Sequence, residues 1–314
     1  SLKCGVVPIA LNTLLATDVY DVILRDSRAS ILFVSHALLD VVMPAIVGNS
    51  FVRKVVVVGG KAPVDTILYE SFMEGAKPID AIETSADECA FWLYSSGSTG
   101  RPKGVRHVHG ALKSTADTYG AQVLGIKEND TVYSAAKIFF AYGLGNAMTF
   151  PMSVGATTVL FSGRPTPEAV LDTIARENVT IFCGVPTLYA ATVSHLETKG
   201  VPGHSLRLCI SAGEALPAEI GNKWQALIGT EILDGVGSTE MLHIFLSNRP
   251  GDVRYGTSGS AVPGYELRCV DENGQEVAKG TGAVGELLVR GASAADGYWN
   301  QRDKSRATFE GEWT

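Results

Sequence analysis

Charge is scarce in this 314-residue chain. Only 19% of residues are Asp, Glu, Lys or Arg, and they sum to a formal −7. No global basic surface supports nucleic-acid binding, so an anionic ligand has to be held by local donors. Cysteine is also sparse: Cys4, Cys89, Cys183, Cys209 and Cys269 are five in number and widely spaced, with no CxxC. That spacing suggests neither a zinc site nor a disulfide framework, and reduced thiols in a cytoplasmic protein are the simplest reading. No apolar run reaches membrane-spanning length, and the first residues lack a charged-then-apolar leader pattern, so a membrane partner is not expected. Three enzyme motifs are missing as well. No Gly-x-Ser-x-Gly elbow occurs, because Gly235-Val-Gly-Ser238 and Gly97-Ser-Thr-Gly100 have the wrong spacing for a hydrolase of that kind. Gly143-Leu-Gly145 has Met148 where a dinucleotide fingerprint needs its third glycine. No Walker A string is present.

What is present is 46% hydrophobic residues, ample for a buried core of one large or two smaller domains, with 34 glycines and 13 prolines marking turns. Short apolar runs at Ile31–Val34, Lys54–Val58, Cys89–Tyr94, Thr131–Ala135, Thr157–Phe161, Thr180–Cys183, Leu206–Ile210 and Glu231–Leu233 read as strands. Helical patterns separate them from Thr17, around Ala37–Ile46, at Leu144–Met152, Pro167–Glu177 and Ala218–Leu227. Alternation of this kind predicts an α/β fold, layered sheets with covering helices. From Val253 the character changes to strand-like runs (Tyr265–Val270, Gly285–Val289) with a hairpin-like Asp271-Glu-Asn-Gly274. We therefore expect an α/β core over 1–252 and a small β-rich subdomain over 253–314. The opening run Gly5–Leu11 has nothing before it to pair with and reads as the middle of a larger sheet.

The chemistry concentrates after the strand that ends at Tyr94. Ser95, Ser96, Ser98 and Thr99 supply hydroxyls; Gly97, Gly100 and Gly104 allow close backbone approach; Arg101 and Lys103 supply charge. This is a phosphate-holding loop by composition. Pro102 before the lysine, and no hydroxyl beside it for magnesium, argue against a P-loop kinase or GTPase. A second polar cluster is Asp234-Gly-Val-Gly-Ser-Thr-Glu240, where the Glu240 carboxylate beside a hydroxyl suits Mg2+; read alone, a solvated loop acid is the better reading. His107-Val-His109 invites a metal reading, but no third ligand adjoins it and local hydrogen bonding is the better one.

Taken whole, Ser95-Ser-Gly-Ser-Thr-Gly-Arg-Pro-Lys-Gly104 resembles the signature loop of the adenylate-forming enzymes: acyl-CoA synthetases, peptide-synthetase adenylation domains and luciferases. Other segments carry the same resemblance along essentially the whole chain: Ser211-Ala-Gly-Glu-Ala215, Gly237-Ser-Thr-Glu240, Gly285–Gly291 and Gly297-Tyr-Trp299. The resemblance implies the large-domain core of that family, ATP as substrate, and a mobile loop in which Lys103 contributes charge to the β- and γ-phosphates. It implies that Thr239 contacts the α-phosphate side, that Glu240 binds Mg2+, and that Gly213, Glu214 and Ala215 border adenine with Asp234, Gly235, Val236, Gly237 and Ser238. Val236 stands where many relatives place an adenine-stacking aromatic. Phe139-Phe-Ala-Tyr-Gly-Leu-Gly-Asn146 and Glu240-Met-Leu-His-Ile-Phe245 look most like aryl-CoA ligases of the benzoate type. There the matching residues Ala141, Tyr142, His243 and Ile244, with Phe140 and Gly143 beside them, would line an aryl pocket sized for one ring. The reaction implied is ATP-dependent adenylation of benzoate followed by thioester formation with coenzyme A. The alternatives are a 4-hydroxybenzoate or other substituted-benzoate ligase, or a nucleotide- or acyl-binding module without full catalysis. The family's Thr-Gly-Asp motif, hinge, C-terminal lid and N-terminal portion have no counterpart in these residues, which reads as a core piece. A homodimer is compatible with the incomplete sheet edge.

Overall fold

The structure is a computed structural model that describes residues 1–96, 100–278 and 282–314. Gly97, Ser98 and Thr99, three of the expected phosphate-loop donors, lie outside the described residues.

The largest sheet has seven strands in the spatial order Ser260–Ala261, Ile244–Ser247, Ile232–Gly237, Leu208–Ser211, Ile181–Gly184, Thr131–Ser134, Thr157–Val159. The last five run parallel and the first two join antiparallel. Ile181–Gly184 and Leu208–Ser211 are buried at every residue, which is why they read as unbroken apolar runs. Strand alternation splits their side chains between two cores. Ile181, Cys183, Leu208, Ile210 and Leu233 face Tyr119, Val123, Phe150 and Tyr265. Phe182, Cys209 and Ile232 face the helices Pro167–Arg176, Pro186–Lys199 and Ala218–Ile228 through Ile174, Tyr189, Leu196 and Trp224. Proline opens the first two of these helices at a position where its missing N–H costs nothing. The result is the layered α/β arrangement expected from the alternation of runs.

Three smaller sheets surround it. Ile31–Ser35, Lys54–Val58 and Ile67–Leu68 are parallel. Tyr265–Val270 pairs antiparallel with Glu286–Gly291. The four-stranded sheet runs Ile9–Ala10, Cys89–Ser96, Pro102–Val108, Gly297–Tyr298.

Several expectations change. The two ends of the polar stretch are strand: Cys89–Ser96 and Pro102–Val108 pair antiparallel, with Ser95 opposite Lys103 and Ser96 opposite Pro102. Proline is tolerated as the first residue of that strand. The helix expected from Leu144 begins at Ala141, because Phe140 is still extended, and continues as a π segment, Gly145–Thr149, before Phe150–Val154. The strand expected over Glu231–Leu233 runs on through the glycines to Gly237, since Gly235 and Gly237 let Ile244–Ser247 approach. A Cβ on Gly237 would lie 2.6 Å from the His243 carbonyl oxygen. Within Gly5–Leu11 only Ile9–Ala10 is strand. Asp271–Gly274 is a turn, but it leads to a single bridge, Val270 with Glu276, while the hairpin strands meet through a longer connection.

Candidate nucleotide and aryl-acid site

In a parallel sheet the carboxyl ends of the strands share one edge, and ligands bind outside it. Here the residues following each of five parallel strands line one cavity of about 810 Å³. Ala135 and Ala136 follow Thr131–Ser134; Val185 follows Ile181–Gly184; Ala212 and Gly213 follow Leu208–Ser211; Ser238 and Thr239 follow Ile232–Gly237; Arg164–Pro167 follow Thr157–Val159. Phe140, Ala141, Tyr142, His243 and Ile244 also line the cavity. Two stretches about a hundred residues apart therefore converge with Gly213, Gly237, Ser238 and Thr239 on one space. That space is larger than the ring-sized pocket expected from the sequence and falls within the ordinary size range of ligand sites. Gly143, Glu214, Ala215, Asp234, Gly235 and Val236 do not line it. Gly143 is packed so that a Cβ would lie 2.1 Å from the Lys137 carbonyl, and Asp234 is buried with Oδ2 accepting from the Leu216 N–H at 3.4 Å. Burial lifts the Asp234 carboxyl above its ordinary value, an effect the Leu216 N–H partly offsets.

The cavity wall is fixed by its own polar groups. The Tyr142 hydroxyl lies 3.0 Å from the Gly184 carbonyl and 3.1 Å from that of Ile210, so it ties the helix start to two strand ends. His243 is buried among Tyr119, Tyr142 and Phe150, with ring centroids 4.6–5.8 Å away. Burial pushes its pKa down to about 3, so the imidazole is neutral and puts no charge on the wall. Gly145 makes room for it: a Cβ there would come 2.4 Å from His243 Cδ2. Placing such a glycine in a π segment beside a ligand space agrees with where π turns are usually found.

Beside the cavity, Ser238–His243 makes the turn into the returning strand. Ser238 Oγ accepts from the Met241 N–H at 3.1 Å, and Leu242 adopts φ 66°, a region bulky residues seldom enter. The turn carries Glu240 towards Lys103, with Nζ 3.5 Å from Oε1. Burial alone would lower the Lys103 pKa, but the hydrogen bond to Tyr298 and the Glu240 charge outweigh it and hold the ammonium above its usual value. Lys103 is therefore a fixed positive charge across 137 residues of sequence from its acid. The strand before the loop is pinned from behind: Tyr94 donates to Asp26 Oδ2 at 2.6 Å and Trp299 Nε1 donates to the Asp26 carbonyl at 2.8 Å.

As a magnesium ligand Glu240 offers one carboxylate. That fits Mg2+, which is commonly held by one or two carboxylates with nucleotide phosphates and water supplying the rest. Among the described residues no group of three or more His, Cys, Asp and Glu could hold a metal by itself. His107 and His109 do not combine: His107 is buried against Phe91, ring to ring at 5.1 Å, while His109 begins the next helix. Several site residues are not marked by the motifs, among them Thr187, Leu188 and Ala191 of the lining. Arg164–Pro167 could have been found by applying the strand-end rule to Thr157–Val159. Tyr298 lay in a noted motif, but its contact with Lys103 and Glu240 depends on a strand pairing no local signal gives.

The chain matches the AMP-binding enzyme family over residues 1–299. It is 51% identical to a benzoate–CoA ligase of Thauera aromatica over 314 residues, all of this chain and 59% of that one. Crystal structures of a benzoate CoA ligase from Burkholderia xenovorans LB400 are 48% identical with TM-score 0.91, covering 99% of this chain and 61% of that one. An anthranilate CoA ligase solved with anthranoyl-AMP is 40% identical with TM-score 0.95, covering 99% and 60%. The chain thus spans about three fifths of the length of these relatives. With glycine, hydroxyl, lysine and carboxylate groups gathered at the strand ends and a family match over nearly its whole length, this chain belongs to the AMP-binding enzymes.

Proposed function

We propose that the chain forms the nucleotide- and acid-binding core of a benzoate–CoA ligase. The observation that carries this is the shared cavity: Gly213, Gly237, Ser238 and Thr239 line the same space as Phe140, Ala141, Tyr142, His243 and Ile244, so an aryl acid and a nucleotide can meet there. In the first half-reaction a carboxylate oxygen of benzoate attacks the α-phosphorus of ATP. The bond to the bridging oxygen breaks, and benzoyl-AMP and pyrophosphate result. In the second, the thiol of coenzyme A loses its proton and attacks the acyl carbon, expelling AMP. Neither half needs a nucleophile from the protein, so its work is positioning and charge neutralisation. Lys103, beside Ser95 in the strand pairing, would meet the phosphates, and Thr239, in the cavity lining, would contact the α-phosphate side. Magnesium, held by Glu240, would neutralise phosphate charge. The neutral His243 and the apolar wall would accept the ring while Arg164, the charged residue of the lining, lies at the exposed rim. In this reading residues 1–252 carry the cavity and 253–314 supply a β-rich subdomain that closes on Glu240 through Tyr298. The five cysteines are free, which suits a reducing cytoplasm. The test is pyrophosphate release by the full-length protein with benzoate, 4-hydroxybenzoate and a fatty acid, followed by thioester formation with coenzyme A. Turnover highest with benzoate is expected; release independent of any aryl acid would overturn the assignment.

A further inference from the structure

Lys103 and Glu240 are separated by 3.5 Å, longer than a good charge-assisted hydrogen bond, and the hydroxyl of Tyr298 accounts for the spacing. It donates to Glu240 Oε1 at 2.8 Å and accepts from Lys103 Nζ at 3.1 Å, while the ammonium also stands 4.3 Å from the centre of the tyrosine ring. Tyr298 is itself held on all sides. It is 5% exposed, its N–H donates to Ser305 Oγ at 2.9 Å, its main chain pairs with Val105, and its ring meets Phe309 at 5.4 Å. The same segment grips the turn that carries the acid: the Ala295 N–H donates to the Glu240 carbonyl at 2.8 Å, and Ser293 Oγ donates to that of Met241 at 2.7 Å.

We infer that Tyr298 is a positioning residue for the nucleotide half-reaction, its hydroxyl holding the Glu240 carboxylate and the Lys103 ammonium aimed but not locked in a mutual ion pair. The inference rests on the ligase reading above for its chemistry and on the contacts for its geometry. An ammonium has three N–H donors and a carboxylate about four acceptor sites. The tyrosine takes one donor from the first and one acceptor site on Oε1 from the second. Among the described residues both side-chain contacts of Glu240 fall on Oε1, which leaves Oε2 for a cation; with one lysine N–H on Tyr298 and one turned towards Glu240, the third remains for a phosphate oxygen. Without the hydroxyl, Lys103 and Glu240 would close into a direct pair that a magnesium–nucleotide complex must first break.

The decisive variant is Tyr298→Phe in the full-length enzyme, which keeps the ring, its packing and its face towards Lys103. Calorimetric titration with magnesium–ATP, without any acid, should show affinity weakened on the order of tenfold, the scale of one charge-assisted hydrogen bond. The magnesium concentration giving half-maximal pyrophosphate release should rise in parallel. The KM for benzoate and the transfer of benzoyl from supplied benzoyl-AMP to coenzyme A, which involves no β- or γ-phosphate, should stay within a factor of two, as about equal values. Wild-type affinity for magnesium–ATP in the variant would overturn the inference. So would an equal loss in the benzoate KM and the thioester step, since that marks a general structural effect. Because the titration needs no acid substrate, it judges Tyr298 even where pyrophosphate assays refute the ligase reading.

Discussion

Ala141 is small beside its neighbours Phe140, Tyr142, His243 and Ile244 in the cavity lining, and it sits at the first turn of its helix, packed towards Leu144 and Leu242. A larger side chain there cannot retreat into the helix, so it must occupy the cavity or displace the core, at about 1–3 kcal/mol. Ala141→Leu in the full-length enzyme should raise the KM for benzoate on the order of tenfold with a smaller change in the KM for ATP. An unchanged benzoate KM would remove Ala141 from the acid's wall. The sequence made this residue legible because a small side chain between two aromatics is a local pattern. Tyr142 was legible as a wall but not as a tie: its hydroxyl reaches the Gly184 and Ile210 carbonyls only because those two strands are neighbours in the sheet.

At the scale of elements, the parallel strands were readable because burial on both faces leaves a run of apolar residues with no alternation to misread. The pair formed by Cys89–Ser96 and Pro102–Val108 was half hidden. Its outward run, Cys89–Tyr94, is apolar, but the returning Pro102-Lys-Gly104 looks like loop, and only backbone pairing reveals it as strand. One tie between elements is set by tertiary structure and carries no local signal. Asp130, just before Thr131–Ser134, accepts from Arg207 Nε at 2.8 Å and Nη2 at 2.6 Å, from Thr180 Oγ1 at 2.7 Å and from the Lys127 N–H at 2.9 Å. Burial would raise its pKa, but the Arg207 and Thr180 bonds prevail and hold the carboxyl below the usual range. It joins the amino-terminal ends of three adjacent strands, opposite the cavity. Asp130→Ala leaves Arg207 with the Leu124 and Gly125 carbonyls but without its carboxylate partner. Since Arg207 is 39% exposed against 4% for Asp130, the cost is discounted to about 2–3 kcal/mol. Urea unfolding should show the loss, and a cycle with Arg207→Ala should return most of it as coupling. A loss equal to the sum of the two single variants would show that the pair does not act together.

For the molecule as a whole, two buried histidines make stability depend on acid. His107, on the strand that delivers Lys103, is pushed down to about 4, and His243, in the cavity wall, to about 3, both by burial. Both folded values lie below the 6.5 of a free histidine, so the unfolded chain takes up protons that the native state refuses. The sign follows directly: this contribution is complete above about pH 6.5 and is lost as pH falls towards the folded values, at up to about 1.4 kcal/mol per pH unit for each ring. Asp130 adds in the same direction at lower pH, while Asp234, lifted by burial, acts against it there. Between pH 7 and pH 5 the two histidines should together remove about 3–4 kcal/mol of unfolding free energy. Replacing His107 by Phe, which preserves the stack on Phe91, should roughly halve the slope. Denaturant midpoints across that pH range, for the parent and for His107→Phe, measure both quantities. A parent whose stability is flat between pH 7 and pH 5 would mean that these rings accept protons while the fold stays closed, and that the wall around His243 is wetter than its 2% exposure allows.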